Sequence, residues 1–277
     1  MTNRPLIAIS LGDPSGIGPE VIAKALAKPN IYNRSIPFVV GSIAGFSSVK
    51  DRLIEIGIQL RAIQSFDEIS GEHGTIEILI DDDKTTAAPN VFPLGEISTK
   101  SAIASHHWVE RAARLCQVGS VAAMVTAPVN KTAWHLAGMS PDIGHQEVFK
   151  RMSGSNYVAT MLVSGSLRCM HLSTHKSLRE ACDYVTRENV LRAIKLTDSH
   201  FRQWGYDSPH IGVAGLNPHA SDNGLIGSEE QEEISPAISE AVEGGIQVTG
   251  PVPADSVFHQ AIEGLYDVVV VMYHDQG

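Results

Sequence analysis

The chain has 277 residues, 43% of them hydrophobic, with 21 Lys and Arg against 31 Asp and Glu, a formal net charge of −10. That composition supports a real core and excludes wholesale disorder, and the length suits one large or two modest domains. The acidic balance argues against nucleic acid as a partner, because phosphate binding needs a basic footprint. A small anionic substrate needs only a few local cations or helix N-termini.

Three cysteines, Cys116, Cys169 and Cys182, are scattered without a CxxC spacing, which fits a reducing cytoplasm better than a disulfide framework. The first residues run directly into a short apolar strand without a signal-peptide core. No apolar run approaches the ~20 residues that span a bilayer. The expectation is a soluble cytoplasmic protein with no membrane partner.

In chain order, strands are predicted over residues 5–11, 36–41, 75–80, 121–127, 157–163, 167–173, 210–216 and 267–272, with helical patterns between them. Several are nearly continuous apolar runs, Val268–Val271 above all, as expected where helices cover both faces of a sheet. Alternating strands and helices predict an α/β fold with a mostly parallel sheet. The short Ser164-Gly165-Ser166 link between two of the strands reads as a hairpin, making the sheet mixed. The clearest helix covers 186–204, where Val190, Ile194, Thr197, Phe201 and Trp204 share one face, Thr186 caps and Gly205 stops it. Glu229, Glu230, Glu232 and Glu233 read as the acidic first turn of a helix starting near Ser228, in preference to a metal site.

Several segments carry chemistry. Residues 12–20 (GDPSGIGPE) follow a strand and open a helix. Such a loop is either a structural tight turn or a cradle of backbone N–H groups, and it matches neither dinucleotide fingerprint nor Walker loop. Of twelve histidines, His106, His107 and His200 fall in helical stretches and receive no role. His175, His219 and His274 each come just after a strand. The carboxyl ends of strands form the ligand crevice of an open α/β sheet, so three imidazoles delivered there could share one ion, leaving a position open for substrate. Lys131, in TAPVNK, also sits at a strand end, as an anion partner or a solvated lysine. Residues 144–147 (GHQE) open a helix, where anions are favoured, or simply cap it. Asp255 starts another helix, with capping the default and general-base or ligand-orienting work the alternative.

Taken together, GDPSGIGPE, TAPVNK, GHQE, STHKSL (173–178), NPHA (217–220), ADSVF (254–258) and YHDQG (273–277) resemble the 4-hydroxythreonine-4-phosphate dehydrogenase family, in family order along the whole chain. The resemblance implies a three-layer α/β/α fold similar to isocitrate and isopropylmalate dehydrogenases, with two lobes around a cleft. The lobes expected are residues 1–128 plus 255–277, and residues 129–254. It implies a homodimer whose active sites draw on both subunits. It places metal binding on His175, His219 and His274, and substrate contact on His145 and Gln146. Gln146 departs from the family's usual Thr, and exchanging a hydroxyl for a longer amide alters substrate choice.

The implied reaction is metal-dependent, NAD- or NADP-linked oxidation of the 3-hydroxyl of 4-phosphohydroxy-L-threonine, with decarboxylation to 3-amino-2-oxopropyl phosphate. Relatives acting on 4-phospho-D-threonate or erythronate, or on cyclic dihydrodiols, set the alternatives. Three-imidazole ligation favours Zn²⁺, then Co²⁺ or Ni²⁺, with Mg²⁺ less suited. Asp255, Lys131 and the Gly12–Gly18 loop are candidates for catalysis or anion binding. Family chains continue beyond the position of Gly277, so a shortened, metal-binding but inactive form is a further expectation. An acyl-phosphate transferase on a similar fold is a weaker one.

Overall fold

The computed structural model describes residues 4–80 and 92–277; of the sequence readings, the opening residues 1–3 lie outside this set. The chain divides into two compact units, Met1–Tyr157 and Val158–Gly277. No helix among the described residues is long and apolar enough to cross a membrane.

The first unit contains strands β1 (Leu6–Ser10), β2 (Ile36–Val40), β3 (Gln59–Ile63), β4 (Thr75–Leu79) and β5 (Ala123–Thr126). They form one all-parallel sheet in the order β3-β4-β2-β1-β5. Its helices are α1 (Gly18–Leu26), α2 (Pro29–Arg34), α3 (Lys50–Glu55), α4 (Thr99–Gln117), α5 (Lys131–Leu136) and α6 (His145–Ser153). Ile22 and Leu26 of α1 and Trp108 and Ala112 of α4 pack on Ala8, Phe38 and Ile78 in one buried core.

The second unit holds β6 (Thr160–Ser164), β7 (Leu167–His171), β8 (Ile211–Ala214), β9 (Val248–Val252) and β10 (Val268–Val271), in the order β6-β7-β10-β8-β9. β6 and β7 form the expected antiparallel hairpin, and β7, β10, β8 and β9 run parallel. Its helices are α7 (Leu178–Tyr184), α8 (Arg187–Gln203), α9 (Ser235–Glu243) and α10 (Ala254–Ile262). The four valines of β10 show why the strand is apolar throughout: each is fully buried. Val268 and Val270 face Val190, Ile194 and Phe201 of α8 and Ala237 of α9. Val269 and Val271 face Val257 and Ala261 of α10. Successive residues serve opposite faces, so this unit is a three-layer α/β/α sandwich. Burial of each such side chain contributes about 1.5–3 kcal/mol.

This pairing corrects the expected lobes. Residues 255–277 do not return to the first sheet, because β10 completes the centre of the second one between β7 and β8. The boundary falls after Tyr157, not at 128, since α5 and α6 pack on α4 through Trp134, Val148 and Val109. In α8 the Thr186 hydroxyl accepts from Asn189 N (3.3 Å), and the expected face is buried except for Trp204, which is 57% exposed beyond the last turn.

Candidate functional site

Three adjacent parallel strands explain the histidine set. β7, β10 and β8 end side by side, and His175, His274 and His219 follow their carboxyl ends at four, three and five residues' distance. Neighbouring strands lie about 4.8 Å apart, so the three loops emerge within a small area. They are also tied together. Ser173 Oγ donates to Met272 O (3.0 Å), and Gln276 Nε2 donates to Gly215 O (2.6 Å) while its Oε1 accepts from Met272 N (2.6 Å). A fourth histidine that the sequence reading passed over, His171, is buried at the end of β7. Its Nε2 donates to His274 O (3.3 Å), with the two rings 6.0 Å apart.

The donor set suits a transition metal. His219 Nδ1 pairs with Asp222 Oδ2 (3.2 Å) and His274 Nδ1 with Asp275 Oδ1 (2.8 Å). A carboxylate on Nδ1 fixes the tautomer and leaves Nε2 as the ligand. All three imidazoles are exposed, and their nitrogens do not all lie within 4.8 Å of one another in this conformation. Bringing the three nitrogens to one ion would require side-chain rotation at these exposed positions. As a donor set, three imidazoles suit a centre with an open position.

His219 sits in an unusual backbone. His219, Ala220, Ser221, Asp222 and Asn223 all have positive φ, from 47 to 68°, a left-handed turn made of residues other than glycine. Each such residue costs about 1–2 kcal/mol, less at Asp and Asn. Strain of this kind is held only where surroundings impose it. The turn lines a cavity of about 370 Å³ with Glu230, Gln231, Pro251 and Pro253, and α10 packs against it. Asp255 lies in the first turn of α10, two residues after the cavity-lining Pro253. It does not act as the cap: Pro253 holds that position, no side chain caps the helix, and the exposed carboxylate accepts only a 3.3 Å bond from Ser256 Oγ among the interactions described.

The acidic run 229–233 opens a helix just after Ser228, as expected. It forms a π-helical turn, Glu230–Ile234, ahead of α9, and Glu230 is 1% exposed. Periodicity could not show this, since burial here comes from contact with the loop after β8.

In the first unit, Lys131, His145 and Gln146 gather where α5 and α6 begin. A Cβ on Gly144 would stand 3.2 Å from Lys131 Cε, so the lysine side chain lies across the turn that opens α6. His145 is packed between Trp134 (centroids 6.0 Å) and Phe149 (6.2 Å), and its Nε2 is buried without a partner among the described residues. Burial, and then the charge of Lys131, push its imidazole below the ordinary value, against a smaller opposite pull from Glu147. A neutral imidazole with an unused buried nitrogen is ready to contact a ligand. The 12–18 loop packs on the end of β5. Gly12 has φ +71°, and a Cβ there would meet Pro128 O at 2.5 Å. Asp13 is turned inward, accepting from Ser15 N (2.9 Å), and burial pushes its carboxyl up.

Sequence reasoning missed a second cluster. His106 Nε2 lies 2.8 Å from Asp142 Oδ2, with Glu110 close by, so these three could together hold a cation. The guanidinium of Arg151, however, donates to both Asp142 and Glu110 at 2.5 Å. A fixed positive charge already fills this pocket, and the cluster clamps α6 to α4.

The sequence pattern of the family described as pyridoxal phosphate biosynthetic protein PdxA matches residues 33–277. The D-threonate 4-phosphate dehydrogenase of Salmonella typhimurium is 40% identical over 271 residues, covering 98% of this chain and 81% of that protein. The crystal structure of 4-hydroxythreonine-4-phosphate dehydrogenase from Klebsiella pneumoniae matches with a TM-score of 0.90 at 36% identity, covering 99% of this chain and 82% of that one. A terephthalate 1,2-cis-dihydrodiol dehydrogenase from Burkholderia xenovorans matches with a TM-score of 0.66 at 26% identity, over 99% and 81%. The chain thus spans about four fifths of the length of these relatives. It belongs to the pyridoxal phosphate biosynthetic protein PdxA family of dehydrogenases.

Proposed function

We propose that this chain is a metal-dependent, NAD- or NADP-linked dehydrogenase that oxidises the 3-hydroxyl of a four-carbon acid phosphorylated at C4. The observation that carries the reading is the delivery of His175, His274 and His219 by three adjacent parallel strand ends, two of them with Nδ1 already held by a carboxylate. His175, His219 and His274 would hold a divalent ion, Zn²⁺ first by ligand chemistry, and that ion would polarise the hydroxyl and lower its pKa while the nicotinamide accepts hydride. His145 Nε2, neutral and buried, offers an uncharged hydrogen bond to substrate. Lys131 Nζ supplies positive charge toward a carboxylate or phosphate. Asp255, an exposed carboxylate beside the 219–223 turn, can take a proton.

Two substrates compete. 4-Phosphohydroxy-L-threonine, with subsequent loss of carbon dioxide, is the expectation from the motifs. D-Threonate 4-phosphate is favoured by the name of the 40% identical relative, and Gln146, in the position where Thr is usual, weakens the expectation from the motifs. Homodimeric assembly with shared sites is part of the proposal; light scattering at twice the chain mass would support it, and a monomer mass would contradict it. The deciding assay is nucleotide reduction followed at 340 nm with each substrate and Zn²⁺. Turnover of D-threonate 4-phosphate is expected; no turnover of either substrate contradicts the reading, and turnover of 4-phosphohydroxy-L-threonine alone reverses the preference.

A further inference from the structure

We infer that Glu230 is a positioning residue for the metal centre, holding the left-handed turn that presents His219. The inference rests on the reading of His219 as a metal ligand. Glu230 is buried, and its carboxylate accepts hydrogen bonds from the backbone and a side chain of the loop after β8. Oε1 accepts from Leu216 N and Asn217 N, each at 2.7 Å, and Oε2 accepts from Asn217 Nδ2 at 2.8 Å. Glu229 Oε2 takes the other hydrogen of that amide at 2.7 Å.

Hydrogen bonds to a charged group are stronger than those between neutral partners. A carboxylate binding two consecutive N–H groups fixes the peptide planes from which residues 218–223 depart. The turn needs such a constraint, because five consecutive positive-φ residues without glycine would relax if released. Gly215 completes the clamp from beneath. A Cβ there would lie 2.9 Å from Ala220 Cα and 3.3 Å from Glu230 Oε1, so only glycine lets the turn settle onto the carboxylate. Among the described residues no hydrogen bond or ion pair joins Glu230 to the imidazole, so its effect on His219 runs through the backbone.

The test is Zn²⁺ affinity, measured by competition with a chromophoric chelator on the full chain, with unfolding followed in parallel. Glu230→Ala is expected to weaken Zn²⁺ binding 10–100-fold, the usual range for residues that orient metal ligands. Glu230→Gln is expected to recover most of it, since a carboxamide oxygen can still accept both N–H bonds. Val190→Ala, a core change in α8, controls for stability and is expected to leave the affinity unchanged. If Glu230→Ala does not fold, Gly215→Ala carries the same test, with a loss of about tenfold expected from displacement of Ala220. His219→Ala separates the two ideas. If it weakens binding while folded Glu230→Ala and Gly215→Ala do not, the positioning role is wrong and the ligand assignment stands. If His219→Ala binds Zn²⁺ as tightly as the wild type, the ligand assignment itself falls.

Discussion

Replacing Asp142 by Ala tests how the α6 helix, and with it His145, is held. The Asp142 side chain is 4% exposed and accepts from His106 and from two nitrogens of Arg151. The His106 side chain is 12% exposed, so losing its bond to a carboxylate costs about 1.5–3 kcal/mol. Arg151 is 42% exposed and keeps Glu110, so solvent screening limits its share to about 1 kcal/mol or less. The net expectation is about 2–3 kcal/mol, which for a unit of this size lowers Tm by roughly 4–12 °C. The pH dependence has a definite sign. Bonding to Arg151 holds the Asp142 carboxyl below its ordinary 3.8, with burial opposing and His106 adding to the depression. Its contribution is therefore complete above that value and is lost as pH falls through the lower, folded-state one. Thermal unfolding by circular dichroism should show a large gap between wild type and Asp142→Ala at pH 7 and a smaller gap at pH 3. A gap below 1 °C at pH 7, or one that widens in acid, refutes the reasoning.

Other consequences are as direct. NMR titration of His145 should give a midpoint below 6.5, and Lys131→Ala should raise it; an unchanged midpoint in the variant removes Lys131 from the site. Because that folded-state value is depressed, His145 contributes stability that is present above pH 6.5 and lost as pH falls through the folded-state value; His145→Gln should flatten this part of the stability profile. Gly12→Ala places a side chain at φ +71° and 2.5 Å from Pro128 O, and should cost about 2 kcal/mol or more in urea unfolding; a change under 0.5 kcal/mol contradicts the close approach. Chelation of metal should abolish nucleotide reduction and added Zn²⁺ should restore it, whereas activity surviving exhaustive chelation argues against metal dependence.

Much of the second sheet was legible because its strands are nearly uniform in hydrophobicity. The apolar run at Val268–Val271 and the capped pattern at Thr186 left few alternatives, and the Ser-Gly-Ser link announced the hairpin. β3 escaped notice because Gln59 and Arg61 break its apolar pattern on an exposed edge. β9 escaped because it contains Gly250 and Pro251, residues that usually punctuate strands. The lobe assignment failed because only long-range pairing decides which sheet β10 enters. Position after a strand singled out His175, His219 and His274, and the structure sets them beyond the ends of β7, β8 and β10. Nothing local revealed the partners of His106, which lie 36 positions away at Asp142. Nor could pattern show that Glu230 is buried: an acidic run reads as a solvated face, and the loop that covers it comes from 13 to 14 residues upstream. The left-handed turn was equally hidden, since Ala220 and Ser221 carry no preference for positive φ.

The claim on which the rest depends is that one divalent ion binds at the ends of β7, β10 and β8. A crystal structure of the Zn²⁺-loaded protein, with the ion located by anomalous scattering, measures this directly. The expected result is one ion with Nε2 of His175, His219 and His274 each about 2.0–2.1 Å away. An ion among His106, Glu110 and Asp142, with Arg151 displaced, or three imidazoles that stay apart in the loaded crystal, contradicts it.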